Sequence, residues 1–128
     1  MGYTTTFEGE IKIEPPLTDR QAERLNAAAE AARDDGVQPT RYATNCDWRV
    51  YDHGSAIRWD ESEKFYDAAA WMVWMISQLP DTRTANGAIA AEGEEPGDQW
   101  RLRVVDGKVF VDEGKVAYAE SGTPLTID

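Results

Sequence analysis

Polar and apolar residues alternate from Tyr3 to Glu14, with Phe7, Ile11 and Ile13 on one side and Glu8, Glu10, Lys12 and Glu14 on the other. A period of two is that of a half-buried strand, and Pro15-Pro16 ends it. The spacing then lengthens. Thr18 stands three residues before Gln21, a capping-box arrangement, and Leu17 and Ala22 occupy the staple positions. This predicts a helix to about Arg33. Its inward stripe of Leu25, Ala28, Ala29 and Ala32 is small enough to bring the axis close to a sheet. Gly36 and Pro39 close it.

From Arg41 to Trp59 the chain reads as a hairpin, because Asp47–Tyr51 and Ala56–Trp59 flank the turn-forming run Asp52-His53-Gly54-Ser55. Asp60 then caps a predicted second helix with Glu63 at its third position. Phe65, Ala69, Met72, Ile76 and Leu79 fall at helical spacing until Pro80. Beyond it, Asn86–Glu92, Gln99–Val105, Lys108–Val111 and Lys115–Tyr118 read as short strands. Asp106-Gly107 and Glu113-Gly114 supply turns. The order favours an α+β domain: an antiparallel sheet of about five to six strands with two helices on one face. The first six elements follow the split βαβ order of a ferredoxin-like core, with the order of strands in the sheet left open. No repeat, linker or low-complexity run interrupts residues 1–128, so one domain is expected.

Charge narrows the partners. Asp and Glu outnumber Lys and Arg by 24 to 13, a formal charge of −11. That disfavours duplex DNA, RNA and anionic membranes, whose affinity comes largely from cations on phosphates. It favours solubility or a basic protein surface as partner. Cys46 is the only cysteine, which fits a reducing cytoplasm and excludes an intramolecular disulfide. The longest apolar run, Ala68 to Ile76, falls short of the roughly twenty residues a membrane span needs.

Catalytic chemistry has little to stand on. His53 is the only histidine and sits in the hairpin turn, so neither a triad nor a histidine metal cluster follows from it and Cys46. Glu92, Glu94, Glu95 and Asp98 crowd one loop without the spacing of a calcium site, and read as a solvated acidic loop. No cofactor is implied. The densest mixture of rings and charges runs through the hairpin into the second helix. There Trp48, Tyr51, Trp59 and Tyr66 are candidate pocket walls, with Arg49, Arg58 and Lys64 as polar contacts. Such a set suits a nucleotide-like ligand, stacked on rings and paired through phosphate; the bland reading is that the rings are core. Trp71 and Trp74 make the second helix apolar nearly all round, so a second covering is expected, either intramolecular or a homodimer interface.

The segments FEGEIKIEPPL, IRWDESEKFYDAAAWMVWMI, NGAIAAEGE and GDQWRLRVVDGKV, in that order, resemble a family of small uncharacterised proteins of bacteriophages and actinobacterial genomes. The tightest part is Trp59, Asp60, Glu63, Lys64, Phe65 and Tyr66, followed by Trp71; residues 36–46 depart most. The resemblance supplies no catalytic residues. It implies a non-catalytic phage protein that inhibits a host process such as antiviral defence, by binding a host protein or sequestering a small signalling nucleotide. The alternatives are a small nucleotide-directed enzyme working through Glu63 and Lys64, or a virion structural or assembly component.

Overall fold

A computed structural model describes residues 4–114, 122 and 124. The strand expected over Lys115–Tyr118 lies outside the described residues. Eight elements follow in the order β1 (Thr5–Glu14), α1 (Asp19–Ala31), β2 (Trp48–Tyr51), β3 (Ala56–Trp59), α2 (Ala68–Ser77), β4 (Thr84–Gly93), β5 (Gln99–Val105) and β6 (Lys108–Glu113). The strands form one six-stranded sheet in the order β2-β3-β1-β4-β5-β6. Each neighbouring pair is antiparallel. β1 and β2 both oppose β3, so they run parallel to each other with α1 as the crossover. β3 and β4 are related in the same way through α2. The first four strands therefore have the split βαβ order that the element sequence suggested, and the β5–β6 hairpin extends it.

β1 is central, which explains its strict alternation. Phe7, Ile11 and Ile13 are buried toward the helices, whereas Glu8, Glu10, Lys12 and Glu14 are exposed on the open face. The same parity carries across the register: Ile11 lies beside Ile57, Ile89 beside Leu102, and Trp48 beside Trp59. Leu25 and Ala29 of α1 and Trp71, Met72 and Met75 of α2 close over that layer as one core. Both helices thus cover one face and leave the other to solvent. No helix among the described residues is long and apolar enough to cross a membrane.

Local chemistry fixes the ends. Thr18 accepts from the Gln21 N–H at 3.1 Å while the Gln21 side chain accepts from the Thr18 N–H at 2.9 Å, the reciprocal box read from sequence. Asp106 and Gly107 both have positive φ (48° and 78°), the twist-matched two-residue turn that Asp-Gly supplies. The β2–β3 turn needs a glycine for a second reason. A Cβ on Gly54, at φ +85°, would stand 2.1 Å from the Leu17 carbonyl oxygen.

The start of the second helix departs from the sequence expectation. The second helix begins at Ala68, not after Asp60, because Glu61, Lys64 and Asp67 hold positive φ (70°, 60° and 53°). Asp60 instead accepts from the Ser62 N–H at 2.9 Å, a local turn. Glu63 and Lys64 are therefore loop residues and not neighbours on a helix. At the edge of the sheet, the Asn26 side chain accepts from the Val50 N–H at 2.7 Å and donates to the Val50 carbonyl at 3.1 Å. One amide of α1 thus stands in for a missing strand beside β2.

Candidate functional site

The sheet ends where β1 and β5 begin and β3 and β4 finish, and a cleft of about 750 Å³ opens there. Its apolar part is built by parity. Trp59 ends β3 and Trp100 is the second residue of β5, both on the helix side, but at the sheet end no helix covers them fully, so each is half-buried. Phe7 lies beneath. Its ring is 5.6 Å from Trp59 and 5.8 Å from Trp100, and 5.3 Å and 5.7 Å from the core rings of Trp48 and Phe65, all edge to face. The Trp59 indole N–H donates to the Ser62 carbonyl at 3.1 Å, so its one polar group is already used and what the ring adds to the cleft is aromatic carbon.

The polar part is acidic. Glu8, Glu61, Glu92, Asp112 and Glu113 stand around the cleft, against Arg101 as the single cation among the described lining residues. Arg101 is committed: its Nη2 is 3.0 Å and its Nε 3.1 Å from Asp112 Oδ2. Arg103 reaches the same carboxylate at 3.0 Å. Hydrogen bonding from Arg103, and then from Arg101, holds the Asp112 carboxyl below the usual range, so it stays ionised. Ring faces beside several carboxylates attract cations and repel phosphates.

The residues singled out from sequence are dispersed. Trp48 is 0% exposed and donates its indole N–H to the Ala68 carbonyl at 2.8 Å, so it is core and not a wall. Tyr51, Arg58 and Trp59 do meet, around a shallower recess of about 370 Å³. There Arg58 is ion-paired with Asp52 and lies 4.9 Å over the Tyr51 ring. Arg49 donates to the carbonyls of Cys46 (2.6 Å) and Trp48 (2.8 Å), a structural use. Tyr66 lines a separate concavity of about 630 Å³ that shares Trp100 with the main cleft. Lys64 is exposed on the loop before α2. Trp71 is wholly buried, and Trp74 packs on it at 5.6 Å, half-buried. Sequence reading missed Phe7 and Trp100. The available signal was positional: a tryptophan of inward parity at a strand end keeps one side of its ring outside the core.

The remaining chemistry lies elsewhere. Burial pushes the Cys46 thiol up to about 11, leaving it protonated and a poor nucleophile. Burial, and then the neighbouring Asp60 charge, push the Asp47 carboxyl up to about 6. Neither lines the cleft. His53 is exposed in its turn, 3.9 Å from Asp19. Among the described residues no three His, Cys, Asp or Glu side chains are arranged to hold a metal. No family model, curated protein or solved structure matches the chain.

Proposed function

We propose that this is a non-catalytic binding protein that holds a cationic segment of a partner protein in the Trp59–Trp100 cleft. The observation that carries the reading is the composition of that cleft: two tryptophan faces on a phenylalanine floor, ringed by carboxylates, its one arginine already paired. A lysine or arginine side chain entering it gains ring contact and charge together. The formal charge of −11 adds long-range attraction for a basic partner, felt over about 10 Å at moderate salt. With the resemblance to phage proteins, the partner becomes a host protein with an exposed basic segment, inhibited by occupancy in the host cytoplasm. The nucleotide reading has weaker support, since five carboxylates line the cleft beside Arg101 and repel phosphate, and Arg58 is ion-paired with Asp52.

Tryptophan emission and calorimetry with an oligo-arginine peptide, an oligo-glutamate peptide and a cyclic dinucleotide test this. The oligo-arginine peptide is expected to bind, more weakly at high salt. Trp59→Ala and Trp100→Ala leave net charge unchanged, and each is expected to weaken binding roughly 2- to 30-fold, the range of one cation–π contact. Undiminished binding in both variants, or tighter binding of the dinucleotide, would overturn the proposal.

A further inference from the structure

The open face of the sheet carries charge in registered columns. On β1 stand Glu8 and Glu10; on β4, Ala90 and Ala88; on β5, Arg101 and Arg103. Glu8 pairs with Ala90 and Ala90 with Arg101; Glu10 pairs with Ala88 and Ala88 with Arg103. Two rows therefore run acid, alanine, arginine across three adjacent strands. Glu8, Glu10, Ala88 and Ala90 are exposed, and strands about 4.8 Å apart set the acidic and basic columns about 10 Å from each other.

We propose that this face is a self-complementary interface for a second copy of the chain. A two-fold axis running along β4, midway between two stacked sheets, lays β1 of one copy over β5 of the other. Because the axis keeps position along the strand, Glu8 meets the partner's Arg101 and Glu10 meets the partner's Arg103, and both contacts occur twice. An isologous interface demands that one patch match itself in this way. The other face-to-face two-fold, perpendicular to the strands, lays β1 over β1 and sets glutamates against glutamates. Register thus selects one packing, the aligned kind with sheets about 10 Å apart.

The central column supports the geometry. Ala88 and Ala90 are short, so backbones can approach while the long side chains on either side span the gap; Glu92, next in the same column, faces its own copy at the rim, where solvent screens it. Asp112 holds both guanidinium groups through Nε and Nη2, using part of their five donors and limiting the rotamers lost on docking. Trp59, Trp100 and Glu113 have helix-side parity and stay outside the overlap, whereas Glu8, Ala90 and Arg101, on the open-face rim of the cleft, are shared with the interface. Both clefts of the pair open at the same end, since the axis preserves direction along the strands.

Sedimentation velocity and light scattering test the proposal by charge exchange. The wild-type protein is expected to dimerise at low salt and to move toward monomer near 1 M NaCl, where screening acts within about 3 Å. E8R/E10R alone and R101E/R103E alone are expected to be monomeric, their equimolar mixture to form a heterodimer, and the four-fold exchange to dimerise again. Near-UV circular dichroism checks that each variant is folded. Should R101E/R103E fail to fold for want of its Asp112 pairs, Ala90→Lys gives a second route, placing bulk and charge on the axis and abolishing the dimer. A wild-type protein monomeric at every concentration, E8R/E10R dimerising as wild type does, or folded partners that do not associate would each refute the interface.

Discussion

Asp47→Asn is expected to stabilise the protein, and the gain should depend on pH in a direction the structure fixes. Asp47 precedes β2, is 7% exposed, and accepts the Asp60 N–H on its backbone oxygen at 2.9 Å, which brings two acids together. Burial is the first cause of its raised pKa and repulsion by Asp60 the second; Arg49 opposes both. The folded carboxyl titrates near 6 against an ordinary 3.8, so between those values the folded state binds more protons than the unfolded one. Stability from this group therefore falls as pH rises from about 4 to about 6, and above about pH 7 the full penalty stands. The shift corresponds to about 3 kcal/mol. Asn keeps the shape without the charge but its amide must also be desolvated, leaving an expected gain of about 1–3 kcal/mol at pH 7.5. For a domain of this size that raises Tm by roughly 3–12 °C. Urea unfolding of both proteins at pH 7.5, 6, 5 and 4 measures the gap, and the other carboxyl groups cancel in the difference. The gap should close toward pH 4. A gap that is flat with pH, or a variant less stable at pH 7.5, refutes the assignment.

Other perturbations read the fold. Asn26→Ala leaves the Val50 N–H and carbonyl without their side-chain partners and should cost about 1–3 kcal/mol in urea unfolding. Light scattering should also show added self-association through the bared edge, and unchanged scattering counts against a protective role. Gly54→Ala meets both a positive φ and the Leu17 carbonyl, and is expected to lose at least about 2 kcal/mol or fail to fold. Trp71→Ala should cost about 3–5 kcal/mol and Trp74→Ala clearly less, with the molecular mass of neither altered; equal losses contradict the burial difference.

Legibility followed the range of the forces involved. The α1 cap, the β1 alternation and the Asp106-Gly107 turn are decided within a few residues, and each was readable. The start of α2 was not. Asp60 and Glu63 have the spacing of a helix cap, but Phe65 is drawn onto Trp48 (5.0 Å) and Phe7 (5.7 Å), and the chain reaches that packing through left-handed residues a helix cannot hold. The candidate pocket mixed two faces for a related reason. In Trp48-Arg49-Val50-Tyr51 alternation already assigns Trp48 and Tyr51 to opposite sides of the sheet, and the side that takes Trp48 is the closed core. Trp59 stood among the candidate pocket walls, and the structure leaves it half-buried beside a recess. Trp100 was not readable, because its place across from Trp59 depends on β1 and β4 lying between β3 and β5, a non-local fact.

Phe7 joins two regions that usually differ in rigidity. Its ring holds Trp59 and Trp100 from below while itself wedged against Trp48 and Phe65. The cleft walls are consequently ordered before any ligand arrives, and a guest immobilises little that was free, which favours slow release over slow capture. The same wedge removes the insulation between stability and affinity: a substitution that loosens the interior around Phe7 unlocks both tryptophans, and the ordering of their rings is then charged to the binding step.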